Sequence, residues 1–260
     1  MPFQNVAGIR YYQFERLGEG LIQAVFTRQG GVSPKPWAAL NMGGTVGDEP
    51  QRVSENRRRG LKALDCRLES VYDVWQVHGV NVVVAEAPRP LDIAHLEADV
   101  ILTRTPGITL MMRFADCVPI LFHDPKRKVI GIVHAGWMGT VRGTARIAVE
   151  AMQTHFGSKP IDVHAAIGPS IGPDHYEIGP DVAVQVHQAF GERASNLLSK
   201  RNGTIFFDLW LANRLFLEQA GVKQIELAEL CTACHTEDWY SYRAEQGRTG
   251  RFGAIIALNA

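Results

Sequence analysis

Lys128-Val-Ile-Gly-Ile-Val-His-Ala-Gly-Trp-Met-Gly-Thr140 is the stretch that decides the fold. Its first half is aliphatic and rich in β-branched residues, which pack well as a strand. Gly136 breaks the run. A helix is expected over roughly Thr140–Phe156, closed by Gly157, because glycine readily takes the left-handed conformation that ends helices.

The same strand-to-helix switching recurs on either side. Upstream, Leu21–Thr27 reads as a strand ending in Arg28-Gln-Gly-Gly31, and Asn41-Met-Gly-Gly44 as a tight loop. Asp48 and Pro50 suit a helix start, with the helix running to about Leu64. Val71–Val77 and Asn81–Glu86 are expected strands around His78-Gly79. Ile108–Phe114 and Val118–Phe122 bracket Ala115-Asp116-Cys117. Downstream come a strand at Asp162–Ile167, an irregular Gly168–Pro173 loop and helices at Pro180–Phe190 and Leu209–Ala220. Asp208 caps the second helix and Gly221 follows it. Val222–Leu230 and Phe252–Leu258 complete the strands. No linker, low-complexity tract or fixed-period repeat interrupts the chain. The fold class is α+β (mixed α/β): a single domain over residues 1–260, with a central mixed β-sheet flanked by helices and an active site at strand ends.

A chain of 260 residues with 46% apolar and 21% charged residues needs no disulfide staples to bury a core. Lys plus Arg and Asp plus Glu both number 27, so the formal net charge is zero. That argues against nucleic acid as a partner but leaves room for a small anion held by a few arginines. Four cysteines suit a reducing compartment or a metal site better than a disulfide framework. The N-terminal segment lacks the layout of a signal peptide, and the apolar runs are too short to span a bilayer. A cytoplasmic location without a membrane partner is the expectation.

His78, Cys117 and His134 each lie just past the carboxyl end of an expected strand, in a turn with Gly or Ala beside them. Functional groups in α/β proteins collect at such places. Were the strand ends adjacent, two imidazoles and a thiolate would form a three-ligand zinc site with one open position, the arrangement of catalytic zinc. A buried thiol and two hydrogen-bonded imidazoles fit the same pattern, and spacing alone does not choose. Cys66 reads as a small buried hydrophobe. Cys231-Thr-Ala-Cys234-His235 has ligand-like spacing but no second Cys pair, and reads as structural or incidental. Arg28, Arg243, Arg248 and Arg251 lie in Gly- and Thr-bearing turns, where a guanidinium can bind phosphate or carboxylate bidentately. A solvated basic loop accounts for them equally well.

Taken together, the motifs Gln76-Val-His78-Gly79, Ala115-Asp-Cys117-Val-Pro-Ile, His134-Ala-Gly-Trp137, Ala166-Ile-Gly-Pro-Ser-Ile-Gly172, Tyr176-Glu-Ile-Gly179 and Thr249-Gly-Arg251 resemble the YfiH-like, laccase-domain family. The resemblance runs from about Phe26 to the C-terminus. It implies a zinc-dependent purine nucleoside phosphorylase acting on inosine, adenosine and methylthioadenosine with phosphate, with adenosine deaminase activity besides. The family's zinc ligands fall on His78, Cys117 and His134, implying one mononuclear Zn2+. Its Thr-Arg-x-Gly-Gly-Val-Ser stretch matches Thr27–Ser33, its Leu-Asn loop Leu40-Asn41, and its Cys-Thr and Tyr-Arg motifs Cys231-Thr232 and Tyr242-Arg243. Arg28, Asn41, Asp116 and Arg243 are thereby candidates for substrate and phosphate binding. Asp116, beside Cys117, would carry a proton or orient a ligand. Two departures stand out: Met138 replaces the usual Arg after His-Ala-Gly-Trp, and Asp174-His175 stand where members often have Cys. The expected partners are purine nucleosides and phosphate, with the chain acting as a monomer or weak dimer.

The family's older label, multicopper polyphenol oxidase, does not suit these residues. A trinuclear copper cluster needs paired histidines, and the nine histidines here never occur as His-x-His. Two rival readings are a metal-free cysteine hydrolase, with Cys117 as nucleophile and His78 or His134 as base, and a factor that edits cell-wall precursors.

Overall fold

A computed structural model describes residues 2–90 and 92–259. Its strands form two six-stranded sheets and one of three strands. In spatial order the first sheet is Phe3–Val6, Ile9–Tyr12, Leu21–Phe26, Phe252–Leu258, Thr109–Phe114 and Val71–Tyr72. It is antiparallel except for its last pair. The second sheet is Gln224–Leu227, His164–Ile167, Val118–Asp124, Val129–Ala135, Val100–Thr103 and Val82–Val84. Only its two edge pairs are parallel. The mixed helix-and-sheet class holds, with the strands in two stacked sheets rather than one central sheet.

Alternation of side chains explains the stacking. Along Val118–Asp124, Val118, Ile120 and Phe122 pack with Val149, Met152, Phe216 and Leu217 of helices Thr144–Phe156 and Leu209–Gln219. Leu121 points the other way, into a core shared with Leu110, Met112, Ala254 and Ile256 of the first sheet. Ile255 faces outward from that sheet to Phe26, Met42 and Leu61, where helix Pro50–Lys62 covers it. The layers are therefore helix, sheet, sheet, helices. Every residue of Val118–Asp124, Val129–Ala135 and Phe252–Leu258 is buried. Strands covered on both faces read as continuous apolar runs, so the sequence pattern did not reveal which neighbour each face meets.

The helix Pro180–Phe190 and the strand Phe252–Leu258 form with the bounds expected. Asp208 caps its helix by accepting from the Leu211 N–H at 2.9 Å. The helix expected over Thr140–Phe156 is two helices, Trp137–Val141 and Thr144–Phe156, parted at Gly143, whose φ of 75° is left-handed. The strand expected over Val71–Val77 is only Val71–Tyr72. From Asp73 onward the chain serves side chains instead: the Asp73 carboxylate accepts from Arg89 Nε at 2.8 Å and Arg113 Nη1 at 2.6 Å. Sequence reading missed the hairpin of Phe3–Val6 and Ile9–Tyr12, the strand Val100–Thr103, and the small sheet of Glu177–Ile178, Thr204–Phe207 and Leu198–Arg201.

Candidate active site

Ala115-Asp116-Cys117 is the turn by which the chain leaves one sheet, at Phe114, and enters the other, at Val118. Asp116 takes a left-handed φ of 84° there. Val118 pairs with Ala135 and Pro119 with His134, so antiparallel register sets His134 beside Cys117. His78 reaches the same point from the connection before Val82–Val84, also with a left-handed φ, 57°. The donor atoms of His78, Cys117 and His134 lie within 4.8 Å of one another. A Cβ added at Gly136 would sit 2.8 Å from His78 Nδ1 and 3.0 Å from Cys117 Sγ, so the backbone packs directly against the cluster. The three residues converge as expected, but not through a row of carboxyl ends. His134 lies inside its strand and Cys117 precedes its own.

Asp99 organises this cluster, and sequence reading missed it. It is fully buried. Its carboxylate lies 2.7 Å from His134 Nδ1 and accepts from the His78 N–H at 3.1 Å and the Gly79 N–H at 2.6 Å. A single acid ahead of an apolar strand carries no local signal of such a role. Bonding at Nδ1 fixes the His134 tautomer and leaves Nε2 for the cluster. Burial by itself would raise the Cys117 thiol, but His134, with help from His78, draws it below its ordinary range. Burial would lower the His134 imidazole, and the neighbouring Cys117 and Asp99 raise it instead. Two imidazoles and a thiolate, one imidazole braced by a carboxylate, make a donor set that fits a single transition-metal ion with a position left open.

The cluster lies at the edge of a cavity of about 810 Å³, whose wall includes Arg57, Arg113, Arg243 and Arg251. Each guanidinium is held by its own bonds. Arg57 Nε donates to the Met42 carbonyl at 2.9 Å, Arg243 Nη1 to that of Glu177 at 2.9 Å, and Arg251 Nη1 to that of Gly250 at 2.8 Å. Arg113 is bound to Asp73 and to the Val74 carbonyl. Asp116, Tyr176 and Tyr242 also line the cavity. Asp116 accepts from Thr232 Oγ1 and from the Arg243 N–H, both at 2.7 Å, which joins the turn bearing Cys117 to the loop bearing Arg243.

Three of the expected anion binders, Arg28, Asn41 and Arg248, lie elsewhere. Arg28 does not line the cavity. Its guanidinium donates to the carbonyls of Ala38 and Thr236 and to Glu245, and lies over the Tyr240 ring. An arginine ahead of Gly-Gly reads as an anion hook, but this one is consumed by the carbonyls of a folded-over loop. Asn41 is buried and shapes that region: it accepts from the Gly43 and Arg251 N–H groups and donates to Asp48. Met138 lines a smaller cavity of about 120 Å³, with Trp137, Ile171 and Leu209, that shares Cys117 with the larger one. Cys231 and Cys234 stand apart from the three-ligand cluster, as expected, but gather with Asp174 and His175.

The family described as "Multi-copper polyphenol oxidoreductase laccase" matches residues 22–259. A purine nucleoside phosphorylase of Deinococcus radiodurans is 42% identical over 236 residues, covering 90% of this chain and 88% of that one. The purine nucleoside phosphorylase YfiH of Escherichia coli is 32% identical, covering 92% of this chain and 95% of its own. Among solved structures, YlmD from Geobacillus stearothermophilus superimposes with a TM-score of 0.92 at 33% identity, covering 100% of this chain and 99% of that one. A Bacillus licheniformis protein titled YfiH gives the same TM-score at 30% identity, covering 99% of each chain. The chain therefore belongs to the laccase-like family whose members include the YfiH and YlmD proteins.

Proposed function

We propose that this protein is a purine nucleoside phosphorylase, converting inosine or adenosine and phosphate to the free base and ribose 1-phosphate, and that His78, Cys117 and His134 hold one zinc ion. One observation carries the reading: the three-donor cluster stands at the edge of a cavity lined by four arginines. The names of the Deinococcus and Escherichia relatives support the reaction class. The lone thiolate and two imidazoles suit a mononuclear site rather than paired coppers.

In phosphorolysis an oxygen of phosphate bonds to C1′ while the bond from C1′ to the purine nitrogen breaks and its electron pair leaves with the base. Arg57, Arg243 and Arg251 bind the phosphate by charge-assisted hydrogen bonds, and their tethering to backbone carbonyls pre-orients them. Tyr176 and Tyr242, whose rings lie under the Arg243 and Arg251 guanidiniums, line the same cavity as contacts to the purine, and Asp116 is the carboxylate there that would carry a proton to or from the base. When bound, zinc supplies Lewis acidity beside the same substrate. The centre also suits hydrolytic removal of the adenine amino group, and adenosine deamination is part of the proposal. The test follows hypoxanthine release from inosine by the purified protein with and without phosphate. No phosphate-dependent release from inosine or adenosine overturns the reading.

One feature keeps a second reading in view. Cys117, His134 and Asp99 are ordered as nucleophile, base and orienting acid, the arrangement of a metal-free cysteine hydrolase. Metal analysis separates the two: metal lost on Cys117→Ala supports the zinc site, and a Cys117 thiol alkylated rapidly in a fully active protein supports the hydrolase.

A further inference from the structure

The geometry points to a second metal site, distinct from the three-donor cluster, in which Asp174, His175, Cys231 and Cys234 hold a zinc-like divalent ion as a closed, four-ligand clip. The donors come from two loops. Asp174 and His175 follow Gly172-Pro173, and Cys231 and Cys234 follow the strand Gln224–Leu227. Their ligand atoms all lie within 4.8 Å of one another. His175 Nδ1 is 3.8 Å from Cys231 Sγ and 3.5 Å from Cys234 Sγ. Asp174 Oδ1 is 3.1 Å from His175 Nδ1, and Asp174 Oδ2 is 3.9 Å from Cys234 Sγ.

The four separations of 3.1–3.9 Å bracket those of a tetrahedron around zinc, so small side-chain adjustments would close the site. Bonds of about 2.3 Å to sulfur and about 2.0–2.1 Å to nitrogen or oxygen put the corners of a tetrahedral site about 3.3–3.8 Å apart. Cys-x-x-Cys is also a recurrent zinc-ligand spacing. The Gly172 N–H donates to Cys231 Sγ at 3.2 Å, and a Cβ at Gly172 would lie 3.2 Å from that sulfur, so any side chain there would crowd it. The loops are already joined by backbone bonds, Ser170 N–H to Leu230 O at 3.1 Å and Thr232 N–H to Ser170 O at 3.0 Å. With four protein ligands no position remains for substrate, so the clip is structural. It braces the wall of the active-site cavity, because Tyr176 follows its first loop directly and Thr232, within its second, bonds Asp116. On metal binding the two thiols release their protons and nothing is oxidised.

The experiment measures metal content after zinc reconstitution and removal of loose metal, for the wild type, Cys117→Ala, His175→Ala and Cys231→Ser/Cys234→Ser. Each sample is also loaded with cobalt(II) and its thiolate-to-metal absorption recorded. The clip predicts that Cys117→Ala keeps one equivalent with a two-thiolate absorption band, and that the double Ser variant has one equivalent fewer than the wild type. His175→Ala, changed at an exposed position, should bind the clip ion at least tenfold more weakly while keeping its fold by circular dichroism. Equal metal content in the wild type and the double Ser variant overturns the proposal. So does a mass two hydrogens low, showing a Cys231–Cys234 disulfide, in protein purified without oxidant. Failure of the three-donor zinc site leaves a different trace, with Cys117→Ala matching the wild type and the double Ser variant losing all its metal.

Discussion

The cavity has one wall made of strands and one made of loops. On the strand side His134 is set by the register of Val129–Ala135 and fixed by Asp99, which is fully buried. On the loop side Tyr176 and Arg243 ride on segments joined by a few hydrogen bonds and by the Cys231 cluster. In the proposed reaction His134 stands on a strand whose position the whole core determines, Cys117 in the turn leading into the neighbouring strand, and the proposed substrate contacts on loops that can adapt. If that division is right, damage to the strand side should abolish chemistry, and damage to the loop side should weaken binding or pace.

The harshest break is Cys117→Ala or His134→Ala. Either should remove the ion held by the three-donor cluster, leaving any ion in the Cys231 clip, and cut phosphorolysis by roughly a thousandfold or more, since Lewis-acid stabilisation is worth several kcal/mol. Metal analysis and turnover of inosine check it. Asp99→Asn is the finer probe. It keeps the shape but weakens the brace on His134, and losing such a supporting carboxylate typically costs 10–100-fold in metal affinity or activity. An unchanged metal dissociation constant in that variant would mean that Asp99 merely fills space.

The arginines sharpen the comparison next. Arg251→Ala or Arg243→Ala should cut phosphorolysis about 10–100-fold, the range expected of a charge-assisted bond worth about 1.5–3 kcal/mol. Deamination of adenosine, which uses no phosphate, should fall much less. Arg28→Ala should behave differently: it strips a half-buried donor from carbonyls and from Glu245, so urea unfolding should show a loss of about 1–3 kcal/mol with little change in turnover of the folded enzyme.

These contrasts show what the sequence could and could not convey. Caps and glycines are local, so Asp208, Gly157 and the helix Pro180–Phe190 could be read directly. The layering could not, because strands such as Val118–Asp124 are apolar on both faces. The three donors were legible as residues beside turns, but their meeting depends on a crossover between sheets that no spacing reveals. Arg28 and Arg57 illustrate the same limit. One sits ahead of a glycine pair yet is spent on carbonyls, while the other sits among Arg52, Arg58 and Arg59 on a helix yet reaches the cavity. Asp174 and His175 stood out only as departures from the family pattern.

Acid unfolding tests the charge cluster beneath the cavity wall, where Asp73 anchors Arg113 and lies against Arg57. Burial alone would raise the Asp73 carboxyl, but Arg113, Arg89, His95 and Arg57 overcome it and hold it at about 2. The unfolded value is about 3.9, so the carboxyl is depressed in the folded state and stabilises the fold fully above roughly pH 4. That stability, about 2–3 kcal/mol, is lost as the pH falls toward 2. Urea titrations between pH 6 and 2.5 should show this slope in the wild type and a shallower one in Asp73→Asn.

The smallest effect is expected from the loop wall. Cys231→Ser/Cys234→Ser removes the clip but leaves the backbone bonds between Ser170, Leu230 and Thr232 and the bond from Thr232 to Asp116. The cavity should therefore persist with a more mobile Tyr176 and Arg243. Every donor of the three-ligand cluster stays in place, so the chemical step should be nearly intact. Substrate contacts would be held less often in their bound positions, which raises KM for inosine and phosphate by a few-fold and moves kcat less. Hydrogen exchange should rise in residues 172–178 and 231–243 and stay unchanged in Val129–Ala135. A fall in kcat comparable to that of Asp99→Asn would show that the loops hold the reacting groups as firmly as the strands do, and the division between the two walls would have to be abandoned.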